Sequence, residues 1–262
     1  MYEGEKIMKI SIITVTYNRA HVIRDAIEGV LSQNYKNYEY IIVDGASKDN
    51  TKDILLEYEP KFEGRLRWIS EPDNGLYDAI NKGIKMATGD VVGIINSDDF
   101  FHRNDTFTLI ANAFEDEEVD AIYADERDVR SSNLEKNTRY CIANYFKPWM
   151  FRIGIMPAHA TFYARKCLFE KYGYYKTDYK IAADLELMIR FIYVNKIKTK
   201  YLPYPLLTFR EGGVSTQLKN RNVNTLEQIR ACKSNGLYTN YFLMLFKYPF
   251  KIRELFIYKY RK

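Results

Sequence analysis

The residues of this chain best suited to chemistry are two adjacent aspartates, Asp98 and Asp99, which follow an apolar run. They close a stretch, 69–99, that leads from one apolar strand through a polar loop and a helix to a second strand. In open α/β sheets, ligands bind outside the carboxyl ends of the strands. Two carboxylates there suit Mg²⁺ or Mn²⁺ shared with a phosphate group, so the stretch predicts a site for a phosphorylated ligand. For an isolated aspartate pair, a helix cap or a turn is the alternative interpretation.

An alternation of strands and helices would position these aspartates. The predicted strands are short apolar runs without a helical period, and the helices between them repeat apolar residues at helical spacing. The strands are expected at 10–16, 40–43, 66–70 and 91–95, and the helices at 20–34, from about 49 onward, and at 77–88. This order indicates an α/β fold with a doubly wound, mostly parallel, Rossmann-like sheet and right-handed crossovers.

The pattern is less regular after Asp99. We expect helices at 105–114, 166–172, 182–194 and 222–234, and strands at 121–124, 160–164 and 198–209. The last strand contains two prolines, which suits a sheet edge. Residues 127–149 lack a clear period and predict strands and loop over one side of the sheet. We therefore expect one catalytic domain over 1–218 and C-terminal helices with a basic aromatic tail over 219–262.

Composition limits the class of protein. The chain has 262 residues and no run of eighteen apolar ones, so no transmembrane helix is predicted, and its charged N-terminus lacks the apolar region of a secretion signal. Three widely spaced cysteines fit thiols in a reducing cytoplasm better than disulfides or a zinc site. The segment 247–262 holds six basic residues and one acid and so carries the whole formal charge of +5. Since a nucleic-acid binder carries basic charge on its folded body, nucleic acid is not an expected partner.

Short motifs in a fixed order give the chain a family resemblance. They read TYNR at 16–19, VDGAS at 43–47, EPDNGLYDAINKG at 71–83, NSDD at 96–99, AAD at 182–184 and GGVS at 212–215. On these motifs, which span about 8–216, the chain resembles the inverting family 2 glycosyltransferases of the GT-A fold, especially enzymes of bacterial cell-surface polysaccharide synthesis. The resemblance implies a GT-A domain over 1–218, a nucleotide-sugar donor (usually UDP-linked), Mg²⁺ or Mn²⁺, and transfer of a hexosyl group with inversion to a glycan or lipid-linked acceptor.

The resemblance also assigns donor contacts. It implies that Asp99 is the direct metal ligand and that Asp98 contacts the donor ribose or a metal-bound water. Asp44 would accept a hydrogen bond from the uracil N–H and Tyr17 would pack against the base, although a turn aspartate and a core tyrosine are the alternatives. The remaining donor-side candidates are Thr16, Asn18, Arg19, Asp73, Gly75, Asp78, Lys82 and Ser97, with Asn81 a weaker one. Asp78 and Lys82 are four residues apart on a helix, so a surface ion pair is their alternative role.

Direct displacement needs a base that accepts the proton of the attacking hydroxyl. Asp184 is the candidate, because it lies in the first turn of a mostly apolar helix and the resemblance places the catalytic carboxylate there. The helix N-terminus is expected to lower its pKa and keep it ionised at neutral pH. A simple helix cap is the alternative, and Glu186 is the reserve base.

Three further residues are candidates for the acceptor side: His159, Trp149 and Arg210. The resemblance places His-Gln where this chain has His159 followed by Ala160. His159 could border the acceptor, help to bind the metal or pack as a core histidine. The segment 212–215 is expected to be a mobile loop that closes over bound donor and excludes water, with a plain glycine turn as its alternative.

The C-terminal tail, 238–262, mixes aromatic residues with lysine and arginine. Such segments lie in membrane interfaces, with rings at the headgroups and cations near anionic lipid. We therefore expect a cytoplasmic enzyme at the inner face of the cell membrane, although the rings could instead cover the domain's own core. Two rival functions are a nucleotidyltransferase, which would need a glycine-rich basic loop after the first strand, and a non-catalytic sugar-nucleotide-binding or membrane scaffold protein.

Overall fold

One eight-stranded mixed sheet organises the molecule, and the computed structural model describes residues 7–211 and 221–260, with side chains over 7–211 and 222–253. The strands are β1 (Ile10–Thr16), β2 (Tyr38–Asp44), β3 (Leu66–Ser70), β4 (Val91–Ile94), β5 (Ala121–Arg130), β6 (Asn133–Cys141), β7 (Tyr163–Arg165) and β8 (Thr199–Arg210). Their order is β3-β2-β1-β4-β7-β5-β6, and β8 pairs with β5. The four strands from β3 to β4 are mutually parallel, whereas β7 runs antiparallel to both of its neighbours. The predicted mostly parallel α/β sheet is confirmed.

The first half of the sheet is buried on both faces. Ile13 and Ile41 pack into one apolar core with the helix Leu76–Met86. Ile12 and Ile42 pack into a second core on the opposite face. A parallel strand covered on both faces needs apolar residues at successive positions, which explains the continuous runs in the sequence. These cores fix the carboxyl ends of β1, β2 and β4 along one edge.

Nine α-helices surround the sheet in the described part of the chain. They are α1 (Ile23–Leu31), α2 (Thr51–Tyr58), α3 (Leu76–Met86), α4 (Thr106–Ala113), α5 (Lys166–Tyr172), α6 (Ala183–Met188), α7 (Arg221–Ser234), α8 (Tyr241–Leu245) and α9 (Lys247–Tyr260). In the C-terminal segment, α7 packs on α6, and α9 lies beside β6. Within the described ranges, no helix combines the length and apolarity needed to cross a membrane.

The elements differ from their predicted bounds where the local pattern is weak. β1, β3 and α5 have the predicted bounds, but the predicted 182–194 helix is α-helical only to Met188 and continues as a π-helical segment, Ile189–Val194. The predicted strand at 160–164 begins three residues later, after the 3₁₀ turn His159–Thr161. β6 lacks a buried apolar face, so periodicity gave no signal for it.

Candidate active site

A cavity of about 880 Å³ opens at the carboxyl ends of β1 and β4. Its volume is in the range of pockets that enclose small molecules. Nine of the predicted site residues line it: Thr16, Tyr17, Arg19, Asp73, Gly75, Ser97, Asp98, His159 and Asp184. Seven others lie outside its wall: Asn18, Asp44, Asp78, Lys82, Asp99, Trp149 and Arg210.

One end of the cavity combines an exposed aromatic ring with a carboxylate. Tyr17 directly follows β1 and is 55% exposed. A Cβ added at Gly45 would lie 2.5 Å from Asp73 Oδ2 and 3.5 Å from Tyr17 Cδ2, so the three residues meet there and a side chain at position 45 would displace the Asp73 carboxylate. Asp73 Oδ1 also accepts a hydrogen bond from Gly75 N at 2.8 Å, and the φ of +111° at Gly75 turns the chain into α3. This end can hold a flat ring with hydrogen-bonding edges.

Asp44 and Asn18 form the layer behind that end. Asp44 is fully buried and accepts hydrogen bonds from Ser47 N at 3.0 Å and Ser70 Oγ at 2.6 Å. Ser47 Oγ accepts from Asn18 N at 2.7 Å, and Asn18 Oδ1 accepts from Lys48 N at 2.8 Å. We expected Asp44 to contact a base directly. In this structure its carboxylate instead holds the two turns that carry Tyr17 and Gly45.

The two adjacent aspartates at the end of β4 face different environments. Asp98 lines the cavity, whereas Asp99 is fully buried and accepts hydrogen bonds from Asn96 Nδ2 at 2.8 Å and Arg210 N at 3.0 Å. Burial, followed by the negative charge of Asp98, raises the pKa of Asp99 to about 8. In this geometry Asp98 has access to a ligand in the cavity and Asp99 lies behind it, and the expected role of Asp99 as the direct metal ligand stays a prediction.

This concentration of negative charge fits a divalent cation. Asp98 supplies a hard oxygen ligand on the cavity wall, and the buried Asp99 beneath it is also repelled by Asp128. Mg²⁺ and Mn²⁺ are commonly bound by one or two carboxylates that share the ion with substrate phosphates. Side chains of Glu126, Asp128 and Cys141 also place ligand atoms within 4.8 Å of one another, but Asp128 is already ion-paired with Arg139 at 2.8 Å. Asp98 is therefore the better-placed ligand.

Asp78 and Lys82 hold the loop before α3 together. Lys82 Nζ lies 2.8 Å from Glu71 Oε1 and donates to Pro72 O at 2.9 Å, while Asp78 Oδ2 accepts from Asn74 N at 3.0 Å. Asn81 is buried and exchanges hydrogen bonds with the backbone of Tyr175 at 2.8 and 3.0 Å. The ion pair named as the alternative, between Lys82 Nζ and Asp78 Oδ2, is also present at 4.0 Å, and together these contacts fix the loop that carries Asp73.

Asp184 also lines the cavity, in the first turn of α6. Its Oδ1 accepts from Leu185 N at 2.7 Å. Burial raises its pKa to about 7, against the lowering effect of the backbone N–H groups. The backbone N–H groups at the helix N-terminus do lower the pKa, but the expectation that they keep it low is wrong, because loss of solvation is the larger effect. A pKa near neutrality suits a general base better than the ordinary value does.

Glu186, the reserve base, is buried away from the cavity. It pairs with Lys176 and Arg190, each at 2.9 Å. Burial raises the pKa of Glu186. The hydrogen bonds from Arg190 and Lys176 together have the larger effect and keep this pKa below its usual value. Glu186 is therefore a structural anion.

Aromatic side chains connect Asp184 to His159. Tyr77 stacks on Tyr175 with ring centroids 5.8 Å apart, and its hydroxyl donates to Ile181 O. The Tyr175 hydroxyl lies 2.8 Å from Nε2 of His159. Burial lowers the pKa of His159 to about 4, so the ring is neutral at pH 7. His159 is at once a hydrogen-bonded interior histidine and part of the cavity wall, so its predicted roles remain open.

Trp149 and Arg210 are not among the residues that line the cavity, and their predicted place on the acceptor side stays a prediction. Trp149 is 53% exposed outside its wall. Arg210 is buried, and its guanidinium pairs with Asp25 while its backbone N–H supports Asp99. The predicted mobile loop at 212–215 lies outside the described residues.

Part of the cavity wall comes from segments of the sequence that gave no functional signal. Its aromatic side includes Tyr145 and Phe250, which stack with centroids 5.7 Å apart. Polar and charged residues from the β5–β6 hairpin and the C-terminal helices complete it: Glu126, Arg139, Asn224, Gln228 and Lys251. The hairpin has no clear apolar period and the helices follow far along the chain, so only the folded structure brings these residues together.

Sequence comparisons connect the chain with glycosyltransferases. The family model described as Glycosyl transferase family 2 matches residues 11–175. A PGL/p-HBAD biosynthesis glycosyltransferase of Mycobacterium bovis is 30% identical over 214 residues, covering 80% of this chain and 80% of its own length. An uncharacterized glycosyltransferase of Nostoc is 24% identical over 260 residues, covering 94% of this chain and 79% of its own.

Two solved structures share the fold. S. aureus TarS 1-349 in complex with UDP-GlcNAc has a TM-score of 0.68 at 20% identity, over 87% of this chain and 66% of that one. The mannosyltransferase PcManGT from Pyrobaculum calidifontis, in complex with GDP-Man and Mn²⁺, has a TM-score of 0.65 at 19% identity. The match to PcManGT covers 86% of this chain and 63% of the PcManGT chain. This chain therefore spans about two thirds of the length of either solved structure.

Proposed function

This chain is a glycosyltransferase of family 2, and from that premise we propose that it transfers a hexose from a UDP-linked donor to an acceptor hydroxyl with inversion of the anomeric centre. The observation that carries the proposal is the placement of Asp98 and Asp184 on the wall of one cavity. Nucleotide sugars bound to TarS and PcManGT support the class of donor.

The donor is proposed to lie along the β1–β4 side of the cavity. Tyr17 packs against the base, Asp73 and the backbone at Gly45 offer polar atoms to the nucleoside, and Asp98 would hold Mg²⁺ or Mn²⁺. When bound, the cation supplies positive charge for the diphosphate that departs. Asp99 and Arg210 keep Asp98 in place from below.

Asp184 acts as the base. Its carboxylate accepts the proton of the acceptor hydroxyl while the hydroxyl oxygen attacks the anomeric carbon and the sugar–phosphate bond breaks. Attack opposite the leaving group inverts the configuration.

The acceptor is proposed to be a glycan or lipid-linked sugar in surface polysaccharide synthesis, reached from the inner face of the cell membrane. The aromatic part of the cavity wall and the exposed rings of the C-terminal helices support an acceptor presented at a lipid surface.

Nucleotide binding and transfer together test the proposal. We expect UDP to raise the melting temperature only when Mn²⁺ is present, and a screen of nucleotide sugars to find one that the enzyme hydrolyses. Asp98→Asn is expected to abolish the metal-dependent stabilisation and lower kcat/KM by about 100-fold or more. Asp99→Asn is the matched control, and we expect it to retain the stabilisation.

Asp184→Asn separates binding from chemistry. It is expected to bind UDP and Mn²⁺ as the wild type does and to lose transfer. Wild-type transfer rates in both Asp98→Asn and Asp184→Asn would overturn the roles given to these residues, whereas binding of UDP by the wild type without transfer of any sugar would favour a non-catalytic sugar-nucleotide-binding protein.

A further inference from the structure

The backbone just before Asp184 is held by a residue from a distant helix. Glu227, on α7, accepts three hydrogen bonds: from Lys180 N at 2.8 Å, from Ile181 N at 2.9 Å and from Ala182 N at 3.0 Å. Hydrogen bonds from N–H groups to an ionised carboxylate are stronger than those between neutral groups. One side chain thus fixes three consecutive peptide units that lead into α6.

Of these three N–H groups, that of Ala182 is a donor at the N-terminus of α6 that is unsatisfied within the helix, and those of Lys180 and Ile181 belong to the backbone just before the helix. The residue that precedes it is Ala182, which has no side-chain acceptor. The first N–H groups of a helix require acceptors from elsewhere. Tyr77 of α3 binds the same segment from the other side by donating its hydroxyl to Ile181 O. Two elements therefore set the direction in which Asp184 leaves the backbone.

We propose that Glu227 is a positioning residue for Asp184: it fixes the 180–182 backbone that aims the carboxylate and places a second negative charge beside it. This inference rests on the proposed role of Asp184 as the base. It makes α7 a part of the catalytic site, although Glu227 does not itself line the cavity.

The second charge gives Glu227 a measurable effect on proton transfer. Burial is the larger cause of the raised pKa of Asp184, and the negative charge of Glu227 raises this pKa further. The other titratable groups that interact with Asp184 are Tyr77 and Tyr175, whose own pKa values are raised by burial and by the Asp184 charge, so both hydroxyls stay protonated and neutral. Lys180 and His159 line the same cavity. Glu227 is thus the anionic neighbour whose removal should move the titration of Asp184.

Arg230 provides a matched control on the same helix. Its guanidinium pairs with Asp178 and lies 4.2 Å above the ring of Tyr179, so it attaches α7 to the same segment two residues before Lys180. Arg230→Met removes that attachment without changing the groups around Asp184.

The experiment is a pH profile of kcat/KM, with kcat and donor KM, for the full-length enzyme. For Glu227→Gln we expect kcat to fall roughly tenfold, because a small misplacement of the base is costly. Donor KM should be unchanged. The acidic limb of the kcat/KM profile, which reports the pKa of Asp184, should move to lower pH. Glu227→Asp keeps the negative charge, but its shorter side chain cannot accept all three hydrogen bonds. Its kcat should therefore fall, while the acidic limb of its pH profile stays close to that of the wild type. Arg230→Met should keep the wild-type limb and kcat.

Each alternative outcome has a distinct meaning. If Asp184→Asn still transfers sugar, the proposed function is wrong. If Asp184→Asn is inactive but Glu227→Gln has the wild-type kcat and acidic limb, the positioning role is overturned. It is also overturned if Arg230→Met reproduces both changes, since the effect would then come from attachment of α7 alone. Should Glu227→Gln fail to fold, a wild-type kcat in Glu227→Asp would still exclude the proposal.

Discussion

Asp98 and Asp99 differ by one position in the chain, yet only one of them faces the cavity. Both residues lie in and just after the turn that follows β4, which ends at Ile94, and this turn leaves the Asp98 side chain on the cavity wall while that of Asp99 enters the interior. Asp99 then depends on Asn96 and the Arg210 backbone for its hydrogen bonds. At the scale of the residue, direction and burial separate two chemically identical groups into a ligand and its support.

The raised pKa of Asp184 predicts how transfer depends on pH. Its folded-state pKa is about 7 instead of 3.8, so the carboxylate is largely protonated below pH 7 and cannot accept the proton of the acceptor. We expect kcat/KM to fall about tenfold for each pH unit below the acidic limb near 7. An acidic limb near pH 4 would contradict this. UDP affinity measured over the same range is the control for titration at the donor end.

The raised pKa of Asp184 also makes the free energy of unfolding depend on pH. The direction of this dependence is opposite to that of a carboxyl group whose pKa is lowered by folding. Because the pKa of Asp184 is higher in the folded chain than in the unfolded one, the folded state binds more protons between about pH 4 and 7. The contribution of Asp184 to the free energy of unfolding is therefore largest at low pH and decreases as pH rises through about 7. The enzyme thus keeps a base near neutrality at some cost in stability.

At the scale of the element, the loop from β3 to α3 shows how a surface can serve the site without touching a ligand. Lys82 joins Glu71 and Pro72 on the outer side of the loop, whereas Asp73 on its inner side lines the cavity. α7 acts in the same way for the segment before Asp184. In both cases one element supplies the functional side chain and another fixes its backbone.

A pair of substitutions in this loop separates the two roles. Asp73→Asn removes a carboxylate from the cavity wall, and we expect it to raise the donor KM roughly tenfold. Lys82→Met removes a partly exposed ion pair and should cost less than about 1 kcal/mol of unfolding free energy. It should also change the donor KM less than Asp73→Asn does. A larger effect on donor KM from Lys82→Met would support the original expectation that Lys82 contacts the donor.

At the scale of the whole molecule, the C-terminal helices serve both the cavity and the outer surface. Phe250 stacks on Tyr145 inside the cavity wall, while Phe242 is 76% exposed and Phe246 is 60% exposed. Part of the tail thus covers the domain, as the alternative interpretation held, and part presents aromatic rings to solvent. Its outermost residues, from 254 onward, lie outside the described side chains.

The exposed rings predict association with anionic membranes. Phe242→Ser combined with Phe246→Ser is expected to lower co-sedimentation with phosphatidylserine-containing vesicles at least severalfold, because aromatic residues and nearby cations bind the headgroup region. Leu56→Ser is the matched control, since Leu56 is also 56% exposed but lies on α2. Donor hydrolysis should be unchanged in all of these variants. Equal vesicle binding by the double variant and the wild type would rule out this surface.

The sequence alone determined the order of strands and helices as far as β4, the family and the strand after which Asp98 lies. Those properties depend on local patterns: buried parallel strands require continuous apolar runs, and β1 and β3 follow them from end to end. Only the tertiary structure decided which aspartate faces the cavity, how far burial raises the pKa of Asp184, and that Glu227 reaches back over 45 residues to Ala182. Direction, desolvation and long-range capping depend on which elements pack together, and no local pattern of residues records that packing.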